Sequence, residues 1–165
     1  MREYGTILPM PVCFRPLLML AFALAVAAGP GLSSALAQAI DEEYRPRTGD
    51  AWIDRQLADI NTYAARYPQS FADEVARYYA VPRAYVEAMM QQPAWEPGDI
   101  VMACGLAQEV GQSCRAVVRE WSRDHEDGWE GVAQRLQSAP GPTQYRQLRE
   151  RIKQSYLRWA RPLAG

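Results

Sequence analysis

Proline and glycine divide the chain after residue 50 into short segments, and this division constrains the fold more than any other feature. Within the segments, apolar residues recur at steps of three and four, which is typical of helices with one buried face. No segment alternates apolar and polar residues over a useful length, so no sheet is predicted. The sequence therefore predicts an all-α domain over residues 50–161, a compact bundle of six or seven short helices. The breaks are expected at Pro68, Pro82, Pro93, Pro97-Gly98, Gly111 and Pro140-Gly141-Pro142.

Local signals place the ends of these helices. Thr48 or Asp50 can cap the first helix, and Pro68 ends it because the residue before proline avoids the α conformation. Ser70 and Asp73 have the spacing of a capping box, which predicts that a short second helix starts there. Helices are predicted over about residues 71–79, 82–92, 99–110, 114–123, 129–137 and 145–159.

An apolar run without charges lies near the N-terminus, from Leu17 to Ala28. Arg15 precedes this run, and Ala35-Leu36-Ala37 gives the small-x-small pattern of a signal-peptidase site. The run is too short to cross about 30 Å of hydrocarbon as a stable anchor. We therefore predict a cleaved signal peptide over residues 1–37, with an uncleaved anchor or a buried helix as the alternatives.

Cleavage after Ala37 would leave 128 residues with 16 basic and 18 acidic side chains. Residues 38–49 are polar and acidic and include Pro46 and Gly49, so they are predicted to form a flexible leader. The mature chain contains no long apolar run, and no stable membrane span is expected in it. The predicted location is periplasmic or secreted.

Two cysteines, Cys104 and Cys114, remain after cleavage because Cys13 lies in the signal peptide. An even pair in an oxidising compartment is a candidate for a disulfide. The alternative is two unpaired thiols, which would follow if the α-carbons lay more than about 7 Å apart. Two cysteines and the single histidine, His125, do not complete four zinc ligands, so no metal and no cofactor is predicted.

A shift of 31 residues aligns two stretches of the sequence, each of which predicts a helix, a tight turn and a second helix. This spacing is that of the helix-turn-helix of DNA-binding proteins. Export would separate the protein from DNA, and an acidic chain does not favour phosphate contacts, so no nucleic-acid partner is expected. Nucleic-acid binding stays open as an alternative if the N-terminal segment is not a signal peptide. The aligned pairs include Val75–Leu106, Ala80–Gly111, Pro82–Ser113 and Val86–Val117.

The predicted last helix is basic, since residues 143–165 carry a net charge of +5 against −7 for the rest of the mature chain. Arg146, Arg149, Lys153 and Arg158 are therefore candidates for contact with an anionic envelope surface. The favoured alternative is that the apolar stripe of this helix docks on the acidic body while its arginines form salt bridges.

Acidic side chains offer a weaker functional signal. Residues 124–127 form a polar run whose spacing does not match a calcium loop, so a solvated loop is predicted. Glu87, Glu109 and Glu120 lie on predicted helices and could serve an exported hydrolase, which needs two carboxylates across a cleft. Nothing in the sequence places two of them opposite each other.

Residues 99–148 carry a further set of motifs and resemble uncharacterised exported bacterial helical proteins. Their pattern is a G-x-S turn, G-W-G-x-[IV]-A-x-x-L, then P-G and an aromatic residue. Glu130 departs from this pattern because it stands where the second glycine is expected. The resemblance implies an architecture and no activity. The matching residues are Gly111-Gln112-Ser113, Gly128-Trp129, Val132-Ala133, Leu136, Pro140-Gly141 and Tyr145.

Taken together, these patterns predict a non-enzymatic binding or structural module of the cell envelope. Its expected partner is an envelope protein or polymer of unknown identity. A cell-envelope hydrolase, or a helper of one, that uses exposed carboxylates is the first alternative, and a helix-turn-helix nucleic-acid binder is the second.

Overall fold

A computed structural model describes residues 44–165, and these residues form seven α-helices and no strand. The prediction of an all-α bundle of six or seven helices is confirmed. The predicted signal peptide and residues 38–43 of the predicted leader lie outside the described residues. The helices are α1 (Ala51–Arg66), α2 (Pro68–Tyr78), α3 (Arg83–Met90), α4 (Pro97–Glu109), α5 (Cys114–Arg123), α6 (Gly128–Arg135) and α7 (Pro142–Arg158).

Two helices begin earlier than the capping signals predicted. α2 begins at Pro68, and Ser70 is already inside it. α4 begins at Pro97, so that Asp99 is its third residue and closes a capping box with Glu96. In both cases proline occupies the first helical turn, where its missing N–H has no intrahelical partner to lose.

The central element of the bundle is α4, of whose thirteen residues ten are buried. It packs against α1, α5 and α7, which explains why it is apolar all round rather than on one face. Gly105 brings α7 close, because a Cβ there would lie 2.6 Å from Leu148 Cδ1. Within residues 44–165, no helix is both long and apolar enough to span a membrane.

The two predicted helix-turn-helix-like pairs are α2–α3 and α4–α5. Their turns match in conformation, since Ala80 and Gly111 both adopt a left-handed backbone with φ of +55° and +68°. The second helix of each pair buries an equivalent valine completely, Val86 in α3 and Val117 in α5. The 31-residue echo in the sequence is therefore an echo in backbone and core.

The prediction of a flexible leader over residues 38–49 is wrong for its described part, Tyr44–Gly49. The carbonyl oxygens of Pro46 and Arg47 accept hydrogen bonds from the backbone N–H groups of Trp129 and Glu130, at 2.9 and 2.8 Å. The first N–H groups of any helix lack intrahelical partners, and here the N-terminal segment satisfies those of α6. Polar composition suggested mobility, but backbone acceptors hold the segment in place.

Candidate functional site

The two mature cysteines are joined in the structure. Cys104 in α4 and Cys114 at the start of α5 form a disulfide, with their α-carbons 4.4 Å apart. Both side chains are buried. The bond ties the two helices of the second pair on either side of the turn at Gly111.

The four basic residues predicted to contact an anionic surface do not form one surface. Arg149 pairs with Asp50 at the start of α1, at 2.5 Å, and the Lys153 ammonium lies over the Trp52 ring on that same side. Arg146 and Arg158 lie on the opposite flank of α7, in a groove of about 470 Å³. The apolar stripe of α7 docks on the bundle, and this docking separates the two flanks.

Acidic partners hold most of these basic groups. Arg158 binds Glu74 with two of its nitrogens, at 2.8 and 2.6 Å, and its guanidinium lies 3.7 Å from the centre of the Tyr78 ring. Lys153 pairs with Glu150 within the helix. The arrangement is the one expected if the arginines of α7 serve to dock it on the acidic body.

The carboxylates considered for hydrolysis are also engaged by arginines. Glu87 pairs with Arg83 and Glu120 with Arg123, both within one helix. Glu109 is largely buried and bound by Arg151 of α7. The structure does not place any two of the three opposite each other across a described cavity.

The polar run at residues 124–127 forms the α5–α6 loop, and its histidine stacks on an aromatic ring. The His125 and Trp121 ring centres are 3.8 Å apart and nearly parallel, and His125 Nδ1 lies 2.9 Å from the Trp121 carbonyl oxygen. In the part of the chain that the structure describes, no group of three or more His, Cys, Asp or Glu side chains could hold a metal ion.

A cleft of about 840 Å³ opens between α5 and the C-terminal end of α6. We call it the α5–α6 cleft. It has the volume of a small-molecule binding site, and its lining is mostly polar. The side chains that define it are Gln112, Ser113, Arg119, Glu120, Arg123, Arg135 and Leu136.

Local sequence explains how α5 presents this lining. Gly111 ends α4 in the left-handed conformation, and Ser113 begins α5 by accepting a hydrogen bond from the Ala116 N–H at 3.2 Å. Arg119 and Arg123 follow one and two turns after Ala116, so all three lie on one face of α5. That face is left uncovered because α6 is only eight residues long.

The α5–α6 cleft carries net positive charge, since three arginines and one glutamate line it. Arg123 pairs with Glu120 at 2.5 Å, and Arg135 reaches back to the Asp124 carbonyl oxygen. Arg119 is exposed and has neither a hydrogen bond nor an ion pair with any residue from 44 to 165. One guanidinium of the cleft therefore has no internal partner.

Two buried donors in the same lining also lack partners. Four buried polar side-chain atoms of the described residues make no hydrogen bond, and two of them are Gln112 Nε2 and Arg135 Nε. A buried donor without an acceptor costs about 1–3 kcal/mol. Such groups are rare in native proteins and call for an explanation.

A third polar centre is closed by its surroundings. Asp99 Oδ1 accepts hydrogen bonds from the Tyr44 hydroxyl at 2.9 Å and from Trp129 Nε1 at 2.7 Å. Burial raises the pKa of Asp99 above its ordinary value, although these two hydrogen bonds and one from the Glu96 N–H act to lower it. Because its neighbours cover the carboxylate, we interpret this centre as a structural junction of α4, α6 and the N-terminal segment.

Sequence reasoning named Arg119 and Arg123 only as part of a helix-turn-helix pattern and did not single out Gln112 or Arg135 as site residues. The available signal was the spacing of Arg115, Arg119 and Arg123, which predicts a basic stripe along α5. Comparison with protein-family models, with curated proteins and with solved structures finds no match to this chain. The resemblance of residues 99–148 to exported helical proteins therefore stays a prediction.

Proposed function

We propose that this chain is an exported helical binding module of the cell envelope and not an enzyme. The observation that carries the proposal is the α5–α6 cleft, in which positive charge and hydrogen-bond donors without partners line one open cavity. A site that offers donors and charge, with its carboxylate paired to Arg123, is suited to holding a ligand rather than transforming it.

The disulfide supports the exported location. Disulfides persist in oxidising compartments and are rare in the cytosol. The bond between Cys104 and Cys114 lies beside the cleft, because Gly111, Gln112 and Ser113 separate α4 from Cys114. An oxidised, locked turn is the scaffold expected for a binding site that works outside the cytosol.

The engaged carboxylates support a binding role over hydrolysis. General acid–base hydrolysis of a glycan needs two carboxylates that face each other across the substrate. Glu87, Glu109 and Glu120 are each bonded to an arginine instead. On the favoured interpretation they hold helices together.

Cell fractionation with N-terminal sequencing tests the location. We expect a protein that begins near Gln38 in the envelope or medium, and recovery of the chain with residues 1–37 intact in the cytosol would contradict the proposal. Sedimentation of the processed protein with isolated envelopes tests binding. We expect retention that falls with added salt and no fragments released from the envelope polymer.

Retention on duplex DNA separates the helix-turn-helix alternative. In that alternative, α5 would be the recognition helix and Arg115 and Arg119 would contact DNA. Arg115 instead lies over the Tyr85 ring, 4.7 Å from its centre. We expect no salt-dependent retention on DNA, and specific retention would favour nucleic-acid binding.

A further inference from the structure

We propose that the α5–α6 cleft binds an oxyanion group, phosphate or carboxylate, with Gln112, Arg119 and Arg135 as its donors. This inference rests on the proposed binding function and assigns it a ligand chemistry and a site. Three independent features of the cleft lead to it.

The first feature is the chemistry of the two donors without partners. Gln112 Nε2 and Arg135 Nε are N–H groups that can donate but cannot accept. A ligand that satisfies both must therefore present acceptor atoms. Hydroxyl groups and water can accept as well, so this feature alone does not require a charged ligand.

The second feature is charge, which selects an anionic acceptor. The lining holds three arginines and one glutamate, and Glu120 is already bound by Arg123. Arg119 remains without an internal partner in residues 44–165. A guanidinium presents several N–H groups in one plane and matches the oxygens of a phosphate or carboxylate.

The third feature is the start of α5. Gln112 and Ser113 line the cleft immediately before the first turn of this ten-residue helix. Ser113 caps the Ala116 N–H, and the first turn of any helix carries partial positive charge that favours anions. The helix end and the side chains act in the same direction.

The other cavities lack this combination. The groove beside α7 holds Arg146, Arg151 and Arg158 against Glu109 and Glu150, and no buried donor of its lining lacks a partner. A third cavity of about 420 Å³, between α2 and the end of α7, has two acids and two arginines in its lining. Only the α5–α6 cleft joins excess positive charge to donors without partners among the described cavities.

The test is an NMR titration of the natively processed, ¹⁵N-labelled protein. Sodium phosphate and sodium glucuronate are added separately, at an ionic strength held constant with sodium chloride. We expect saturable shifts of the Gln112 side-chain amide and of the backbone amides at the start of α5. Tighter binding of phosphate would indicate a phosphorylated ligand, and tighter binding of glucuronate an acidic saccharide.

Two arginine variants give a matched comparison. Arg119→Ala removes a cleft guanidinium, whereas Arg55→Ala removes an exposed guanidinium of α1 that also lacks a described partner. Both lower the net charge by one. We expect Arg119→Ala to weaken anion binding about tenfold or more, as for loss of a charged hydrogen bond, and Arg55→Ala to leave it unchanged.

Several outcomes would overturn the assignment. They are the absence of saturation with either anion, shifts that map outside the cleft, or equal weakening by Arg55→Ala. Gln112→Ala gives a second test, because it removes a donor without changing charge and should also weaken binding. If the titration fails while the processed protein still sediments with envelopes, the site is wrong and the proposed function stands. If the anions bind but the protein is not exported, the proposed function is wrong.

Discussion

The two helix-turn-helix pairs share a backbone but differ in the bond that closes them. The disulfide of the α4–α5 pair joins Cys104 and Cys114. Shifting by 31 residues gives Asp73 and Arg83 in the α2–α3 pair, and these two side chains form an ion pair at 2.6 Å. The same two positions are thus linked covalently in one pair and electrostatically in the other.

This difference shows how one backbone can serve as scaffold in one place and as a site in another. In the first pair the Arg83 guanidinium is occupied by Asp73 and also by Glu87 and Gln69, and it leaves no positive group available. In the second pair the disulfide closes the turn without using charge. The arginines of α5 are then available for other partners.

Removing the disulfide should produce the largest change. Replacing Cys104 and Cys114 together by alanine is expected to cost about 2–4 kcal/mol of the free energy of unfolding, because the link restricts the unfolded chain. Asp73→Ala, which breaks the exposed ion pair of the first pair, should cost less. Urea denaturation of the two proteins measures both. An equal loss would show that the covalent and electrostatic links are interchangeable in strength.

Trp129→Phe should be the next largest change, and it tests how the second pair is anchored. α4 begins at the buried Asp99 junction, whereas Tyr67 precedes α2 without a side-chain cap. Trp129→Phe keeps an aromatic ring but removes the Nε1–H donor to Asp99. We expect a loss of about 1–3 kcal/mol, as for a buried acceptor deprived of its donor. Tyr67→Phe is the matched control in the first pair and should change little.

The pH dependence of this loss has a definite sign. Because the pKa of Asp99 is raised in the folded protein, its contribution to stability decreases as pH rises from the unfolded value of 3.8 through the folded pKa. The Trp129 hydrogen bond lowers that pKa, so Trp129→Phe should raise it further. The stability gap between wild type and variant should therefore widen as pH rises. A gap that narrows would show that Asp99 does not carry the effect.

The sequence predicts the α5 end of the comparison well because the signals there are local. Gly111 supplies the left-handed turn and Ser113 the cap, and both are observed in those roles. The anchoring of Tyr44–Gly49 could not be predicted, since the acceptors are the main-chain carbonyls of Pro46 and Arg47. Every residue has such a carbonyl, so no side-chain pattern marks the contact.

The candidate site was predictable only in part, for a related reason. Arg119 belongs to the basic stripe that spacing along α5 indicates. Arg135 comes from another helix, and its place in the cleft depends on how α6 packs. That Gln112 Nε2 and Arg135 Nε lack partners is a property of the packed structure, because composition does not record which donors are satisfied.

The turns offer a smaller test that exchanges the two pairs. Ala80→Gly should stabilise the protein by up to about 1 kcal/mol, because a left-handed backbone strains any residue with a Cβ. Gly111→Ala should destabilise by about 1 kcal/mol for the same reason, since a Cβ there meets no atom within 4 Å. Thermal denaturation measures both shifts. Equal signs would mean that the two turns do not share one conformation.

The smallest expected effect on stability comes from giving the first pair the arginine that distinguishes the second. A shift of 31 residues places exposed Ala88 of α3 opposite Arg119. Ala88→Arg changes an exposed surface position, so the free energy of unfolding should stay within about 0.5 kcal/mol of wild type. Its value lies in what it does to anion binding.

We expect Ala88→Arg to create no new anion site, because Val81 stands where the second pair has Gln112 and no short helix such as α6 follows α3. The phosphate and glucuronate titrations, repeated on this variant, should show shifts confined to the α5–α6 cleft. A second saturable site on α3 of comparable affinity would mean that one exposed arginine on such a helix is sufficient. The buried donors of Gln112 and Arg135 would then have no part in recognition, and the difference between the two pairs would reduce to a single charge.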